Sequence, residues 1–108
     1  GKLRALGVTG ARRSAAALEL PTISEAGVAG YEANAWFATF VTAGTRAGLV
    51  GRLNDAIVRI VNAPEVRDRL AAQGAEASTS TPEELGRYTR AEIQRWRQVI
   101  HESGARAN

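Results

Sequence analysis

The side chains that most often carry chemistry in proteins are few in this sequence and lie far apart along it. His101 is the only histidine, near the end of a predicted helix, where a positive charge complements the helix dipole. Asp55 and Asp68 are the only aspartates, and both lie near arginines on predicted helices, not in a carboxylate pair suited to acid–base catalysis.

The absence of cysteine excludes disulfides, thiolate zinc sites and cysteine nucleophiles. No nucleophile elbow or glycine-rich phosphate loop occurs. The sequence therefore predicts no enzyme, no metal site and no cofactor.

The stretch TGARRS, residues 9–14, has a composition that would suit an anion-binding site. Here a glycine at the end of a predicted strand is followed by Arg12 and Arg13. Backbone amides and guanidinium groups in such a loop can hold an anion together. An ordinary solvated loop has the same composition, so the residues alone leave both interpretations open.

A second stretch that could bind a small molecule surrounds Trp36. Asn34 and Trp36 fall on the same, mixed face of a predicted strand. An apolar wall with a few polar groups is typical of ligand pockets, so this pair could hold a small polar molecule. A tryptophan that packs between two layers of a core would produce the same pattern, and that alternative stays open.

The charge balance argues against nucleic acid as a partner. The sequence pI is about 10.2, but 14 Lys and Arg are opposed by 11 Asp and Glu, which leaves a formal charge of only +3. On the predicted helices the arginines alternate with acids, which is typical of a solvated surface, and no basic stripe with interleaved aromatics occurs. No apolar run is long enough for a membrane span, and the amino end lacks the apolar core of a signal peptide.

The segment that must position Asn34 and Trp36 is unusually long. Residues 31–42 alternate between two faces, which predicts a strand. At about 3.3 Å per residue this strand would span close to 40 Å, roughly twice the usual length. Its mixed face changes from polar at Glu32 and Asn34 to apolar at Ala38 and Phe40. We therefore predict a connector that passes between two bodies.

The residues before this segment predict one strand and one short helix. LRALGVTG, residues 3–10, is a short apolar run ended by a glycine, which predicts a strand covered on both sides. TISEAG, residues 22–27, predicts a short helix that begins with a capping box between Thr22 and Glu25 and ends at Gly27.

Three main helices are predicted after residue 45. The first carries an apolar stripe at spacings of three and four and ends at Asn62. The second begins at Pro64 and ends before Gly74, and a short strand, AEAST, is predicted to follow it at residues 75–79. The third is long, with Thr81 as its N-cap and Gly104 past its end.

Read in order, several blocks of this sequence resemble a known family. They are GKLRALGVTGARRS, PTISEAGVAGYEANAWF, TAGT, the run from VGRLNDAIV to TPEEL, and RAEIQRWRQVIHESG. Together they resemble the carboxyl-terminal third of the solute-binding proteins of tripartite tricarboxylate transporters, the Bug or TctC-like family. Ala29, Thr42 and Arg46 stand where the family often has proline, which affects loop geometry more than a binding site.

The resemblance implies an α/β fold. The chain would be part of a periplasmic-binding-protein type II-like (Venus-flytrap) fold, with a long crossing strand and three main helices. Residues 1–33 would be a remnant of the second lobe, and residues 34–108 would form the crossing strand and the carboxyl-terminal part of the first lobe. By position, Asn34, Ala35, Trp36 and Phe37 would bind ligand near the hinge, with Trp36 as an apolar wall and Asn34 as a donor.

The implied function is periplasmic binding of a small organic carboxylate and its delivery to membrane permease subunits. A chain of this length would form only part of such a receptor. It would expose surfaces that other segments normally cover, so we expect it to self-associate. The alternative is a helix-rich interaction or regulatory module without a small-molecule ligand, which would use its arginine-rich faces to meet a partner.

Overall fold

The structure of the protein, a computed structural model, describes residues 2–106 and contains three helices in that range. They are α1 (Ala47–Val61), α2 (Pro64–Ala72) and α3 (Pro82–Ser103). The three predicted main helices are therefore confirmed. The predicted ends are also confirmed, because Asn62 is the C-cap of α1 and Gly104, in the left-handed conformation with φ of 67°, is the C-cap of α3.

α3 begins with the predicted capping box. The Glu84 amide donates to the Thr81 hydroxyl oxygen at 3.2 Å, and the Thr81 amide donates to the Glu84 carboxylate at 2.8 Å. These two bonds satisfy amides that a helix start leaves without intrahelical partners. Pro82 occupies the first turn, where its missing N–H costs nothing.

α1 has no side-chain cap at its start, and its single asparagine, Asn54, bonds to the segment before α3. The Asn54 amide nitrogen donates to the Ser80 carbonyl oxygen at 2.9 Å, next to the N-cap of α3. α1 and α3 also contact each other. Asn54 therefore fixes the segment from which α3 starts.

α2 is a short helix that follows Pro64, its first residue. Ala75 donates its amide to the Leu70 carbonyl at 2.9 Å, and Gly74 has a φ of 74°. A left-handed residue followed by such a bond is a common way to end a helix, and glycine adopts that conformation without a steric penalty.

The predicted strands are not present in the structure. Across residues 2–106 no β-strand forms, and the only pairing of this type is an isolated parallel bridge between Val8 and Thr22. Residues 31–42, the predicted crossing strand, have neither helix nor strand structure, and the same holds for residues 75–79. A strand needs a neighbouring strand to accept and donate its backbone bonds, and alternating hydrophobicity in one segment does not supply that neighbour.

The short helix predicted at residues 22–27 is a hydrogen-bonded turn instead. Ala26 donates its amide to the Thr22 carbonyl at 2.9 Å, as in one turn of helix. Gly27 then has a φ of 121°, outside the helical region. The single hydrogen bond of one turn does not offset the conformational entropy lost in starting a helix, so the helical conformation ends at Gly27.

Burial is slight throughout the described part of the chain. No apolar side chain in residues 2–106 is buried, and Thr22, only 2% exposed, is the one buried residue in that range. In α1 the half-buried residues Val50 and Ile57 lie beside Leu49, Leu53 and Ile60, which are exposed. The apolar stripes that the sequence predicts as core are therefore largely open.

Residue contacts divide the chain into two compact units. One consists of Gly1–Thr42 with Ala63–Ala77, and the other of Ala43–Asn62 with Ser78–Asn108. The predicted lobe boundary at residue 33 refers to a complete receptor and stays a prediction. Among residues 2–106, no helix has both the length and the apolar character needed to cross a membrane.

Candidate functional site

The turn at Thr22 contains the buried polar residue of the first unit, since Thr22 is only 2% exposed. The Glu25 amide donates to the Thr22 hydroxyl oxygen at 3.0 Å, and the Thr22 amide donates to the Glu25 carboxylate at 2.9 Å. The bond from the Thr22 backbone, followed by the Arg13 guanidinium, lowers the pKa of Glu25 below its ordinary value of 4.5. The predicted capping box is confirmed, although it opens a turn and not a helix.

A pair of backbone bonds joins this turn to the amino-terminal segment. Val8 donates its amide to the Pro21 carbonyl and accepts a bond from the Ile23 amide, both at 2.9 Å. Gly7 lies so close that a Cβ there would be 3.1 Å from the Pro21 carbonyl oxygen. A side chain at residue 7 would therefore require the Pro21 carbonyl to shift by a few tenths of an ångström.

The two arginines of the TGARRS loop are both paired with acids of the same unit. Arg13 donates through Nε to Glu25 at 2.9 Å and through Nη1 to the Leu18 carbonyl at 3.3 Å. Arg12 pairs with Glu76 at 2.8 Å, far along the chain. Guanidinium groups that already neutralise carboxylates have less charge to offer an outside anion. This geometry favours the solvated-loop interpretation of the segment.

Asn34, the first of the predicted ligand-binding residues, lies against the same loop. The Ala33 amide donates to the Thr9 carbonyl at 2.9 Å. A Cβ built on Gly10 would lie 3.4 Å from the Asn34 side-chain oxygen, so the amide packs over the glycine. The Asn34 nitrogen donates to the Glu32 carboxylate at 2.8 Å. The Asn34 amide group is therefore oriented by its neighbours while remaining exposed.

The other three predicted site residues follow Asn34 along an exposed stretch. Ala35 is exposed, Trp36 is 36% exposed and Phe37 is 95% exposed. The Phe37 ring therefore has almost no neighbours in this chain. The ligand-binding role of Asn34, Ala35, Trp36 and Phe37 stays a prediction. Sequence reasoning placed Glu32 on the same face as Asn34 but missed Gly10 as its neighbour, for which the only available signal was the glycine of the TGARRS loop.

The acidic and histidine side chains of the described residues do not converge. Across residues 2–106 no group of three or more His, Cys, Asp or Glu could hold a metal ion. His101 lies in the last turn of α3, as the sequence predicts. The candidate site is thus a polar, hydrogen-bonding surface built from the turn at Thr22, the loop at Gly10 and the segment that starts at Asn34.

Comparison with known proteins gives a consistent result over nearly the whole chain. Residues 1–105 match the model of the tripartite tricarboxylate transporter family receptor. The chain is 37% identical over 108 residues to the UPF0065 protein in the tcbD-tcbE intergenic region of Pseudomonas sp. (strain P51), covering 99% of this chain and 32% of that protein. It is 35% identical over 106 residues to protein BugT of Bordetella pertussis, covering 98% and 32%.

A solved structure is similar in fold as well as in sequence. The structure described as R. palustris Rpa4515 with adipate superposes with a TM-score of 0.82 at 37% identity, covering 94% of this chain and 34% of that chain. The chain thus spans about a third of the length of these relatives. The resemblance inferred from the sequence blocks is confirmed.

Proposed function

The chain belongs to the tripartite tricarboxylate transporter receptor family, and we propose that it is part of a solute-binding receptor for small organic carboxylates. The family consists of receptors, so the expectation of a non-enzymatic protein is confirmed. The observation that carries the carboxylate proposal is the similarity to the adipate-bound structure, at a TM-score of 0.82 over 94% of the chain. Adipate is a linear dicarboxylate, which is the class of ligand we propose.

We propose that the receptor has two lobes that close on the ligand by a hinge, in the manner of a Venus flytrap. Residues 1–33 would belong to the second lobe, and residues 34–108 would complete the first. The segment 31–42 would pass between the lobes. Its lack of helix supports this role, because twelve residues of non-helical chain can span a longer distance than a helix of the same length.

Within that receptor the candidate site would line the cleft. The Asn34 amide, with one N–H engaged by Glu32, has a second N–H and its oxygen for a ligand. Trp36 would provide an apolar wall against the ligand's carbon chain, with Ala35 and Phe37 beside it. The exposure of Phe37 supports this placement, because a ring that is 95% exposed has a surface available for another group.

The proposed partners of the receptor are the membrane permease subunits of a tripartite transporter, and the proposed location is the periplasm. Delivery would follow from closure, because a closed, loaded receptor presents a different surface from an open one. A second copy of this chain is a further proposed partner.

The experiment that tests the receptor function is a chimera. Residues 1–105 of this chain replace the matching third of the R. palustris protein, and isothermal titration calorimetry measures the binding of adipate and other carboxylates. We expect the chimera to bind at least one carboxylate with micromolar affinity. The unmodified R. palustris protein is the positive control.

A folded chimera that binds no carboxylate would contradict the proposal and would favour the interaction-module alternative. Circular dichroism of the chimera distinguishes that outcome from a failure to fold. No feature of the described residues specifically favours the alternative, because the family match covers residues 1–105.

A further inference from the structure

Asn34 lies on a surface that the TGARRS loop, residues 9–14, provides. The Thr9 carbonyl accepts the Ala33 amide at 2.9 Å, which brings the next residue over Gly10. A Cβ on Gly10 would be 3.4 Å from the Asn34 side-chain oxygen, at the near limit of ordinary contact. The position of the Asn34 amide therefore depends on where this loop lies.

Arg13 connects the carboxyl-terminal end of the TGARRS loop to the turn at Thr22. Its Nε donates to the Glu25 carboxylate at 2.9 Å, and its Nη1 donates to the Leu18 carbonyl at 3.3 Å. The guanidinium group is planar, so two donors that reach two separate acceptors fix both its place and its tilt. Arg13 is thus oriented at the point where the loop ends.

The carboxylate that accepts from Arg13 is itself held in place. The same oxygen, Glu25 Oε2, also accepts the backbone amide of Thr22 at 2.9 Å, and Thr22 is only 2% exposed. The bond from Thr22, followed by the Arg13 guanidinium, keeps the pKa of Glu25 below 4.5, so the carboxylate is charged at neutral pH. Arg13 therefore joins the loop to a fixed part of the first unit.

The neighbouring Arg12 holds the same loop less firmly. In its ion pair with Glu76 the two side chains are 81% and 77% exposed, whereas those of Arg13 and Glu25 are 45% and 49% exposed. Solvent and salt screen an exposed pair, and the entropy of two long side chains opposes it. Of the two arginines, Arg13 is therefore the one expected to set the position of the loop.

We propose that Arg13 is a positioning residue for ligand binding, which holds the TGARRS loop where the Asn34 amide packs on it. The proposal rests on the proposed receptor function, in which Asn34 contacts the ligand. Arg13 acts through Asn34 and not by contact with the ligand, because its guanidinium is engaged by Glu25 and Leu18. An amide that is oriented beforehand loses less conformational entropy on binding, which is worth about fivefold in affinity for one side chain.

Nuclear magnetic resonance of the 108-residue chain tests the positioning without any ligand. We expect Arg13→Gln to lower the heteronuclear NOE of the Asn34 side-chain nitrogen, because a released amide moves more on the nanosecond scale. Arg4→Gln is the matched control, since Arg4 is exposed and forms no ion pair among residues 2–106. An unchanged NOE in Arg13→Gln, or equal changes in the two variants, would overturn the proposal.

Arg13→Lys keeps the test decisive if Arg13→Gln loses the dispersed amide spectrum of the first unit. Lysine retains the charge opposite Glu25 but lacks the planar fork that reaches both acceptors. The NOE of the Asn34 side chain should then fall between those of the unmodified chain and a freely moving amide. A value equal to that of the unmodified chain would show that the two-point contact of Arg13 does not orient Asn34.

A double-mutant cycle in the chimera with the R. palustris protein tests the effect on binding. The ligand is adipate, or the carboxylate that the unmodified chimera binds most tightly. Calorimetry should show about fivefold weaker binding for Arg13→Gln, and little further loss when Arg13→Gln is added to Asn34→Ala, because the side chain that Arg13 orients is then absent. Arg13→Lys should recover part of the affinity.

Equal losses from Arg13→Gln with and without Asn34 would indicate a general structural role and would overturn the proposal, as would an unchanged affinity. A folded chimera that binds no carboxylate before any substitution contradicts the receptor function instead. In that case the magnetic resonance comparison still decides whether Arg13 orients Asn34, so the two failures are distinguishable.

Discussion

At the scale of single residues, the same threonine–glutamate pair has two different outcomes in this chain. Thr22 with Glu25 and Thr81 with Glu84 form the same two reciprocal bonds, at closely similar distances. The first opens a single turn that ends at Gly27, and the second opens a helix of 22 residues. A capping box therefore determines where a helix starts, and the residues that follow determine whether it continues.

Removal of the Thr81 hydroxyl should weaken the start of α3. We expect Thr81→Ala to destabilise the first turn by about 1 kcal/mol, because the Glu84 amide loses its acceptor. Amide hydrogen exchange of Glu83, Glu84 and Leu85 measures the effect. The matched control is Thr79→Ala, two residues upstream, and equal exchange in the two variants would contradict this role.

The same pair should respond to acid. Bonds from the Thr81 backbone amide and then its hydroxyl lower the pKa of Glu84 from the ordinary value of 4.5. A lowered folded-state pKa means that the cap is fully stabilising above about pH 4.5 and is lost as the pH falls through the lower value. Helicity followed by circular dichroism from pH 6 to pH 2 should decrease in that window.

Glu84→Gln is the control for this acid response, because glutamine can still accept a bond but does not titrate there. The variant should show a flatter pH profile than the unmodified chain. Identical profiles would show that another group causes the transition.

At the scale of elements, the three main helices were predictable, whereas the short helix at residues 22–27 and the strands were predicted and do not form in residues 2–106. The signals that bound α2 and α3, such as Pro64, Thr81 and Gly104, act through bonds within a few residues. A strand at residues 31–42 depends on a neighbouring strand, and the sequence of the segment holds no information about one. Its alternation of polar and apolar residues describes its faces and does not supply backbone partners.

The candidate site was predictable to the same limited extent. The choice of Asn34 followed from its place beside Trp36 on the mixed face of the predicted strand and from the family resemblance. Its neighbour Gly10 became visible only in the fold, because the Thr9–Ala33 backbone bond joins segments that are distant in sequence. Contacts of that range depend on tertiary structure, which local patterns do not encode.

The connection between α1 and α3 gives a prediction at this scale. Asn54→Ala should remove the bond to the Ser80 carbonyl and destabilise the loop before α3 by about 1 kcal/mol. Amide exchange in residues 78–82 should increase as a result. Asp55→Ala, a change of the adjacent exposed residue, is the control and should leave that exchange unchanged. Unchanged exchange in Asn54→Ala would assign the order of this loop to other contacts.

At the scale of the whole molecule, residues 2–106 by themselves form none of the buried apolar interior that usually dominates protein stability. No apolar side chain in the described residues is buried. Unfolding of a typical protein of this length raises the heat capacity by about 1.3–1.6 kcal/mol/K, mainly through exposure of apolar surface. Calorimetry of the chain, at a concentration where sedimentation shows a monomer, should therefore give a clearly smaller heat-capacity change. A value within the usual range would mean that the exposed apolar faces pack in solution.

A further prediction concerns the site within a complete receptor. In the chimera proposed above, Trp36→Ala should weaken adipate binding roughly tenfold, because the ligand's methylene groups lose an apolar wall. Phe40→Ala is the control, since Phe40 is a 65% exposed aromatic in the same segment but outside the predicted site. Equal calorimetric affinities of the two variants would contradict the assignment of Trp36.

The ion pair between Arg12 and Glu76 makes the first unit sensitive to ionic strength. The two side chains remain 81% and 77% accessible although they join distant parts of the chain. At 1 M ionic strength the Debye length contracts to about 3 Å, and dissolved ions then compete with such a contact. The Arg12–Glu76 ion pair should therefore weaken at high ionic strength and strengthen in dilute buffer. The flexibility of the amino-terminal segment should then increase with the salt concentration of the medium.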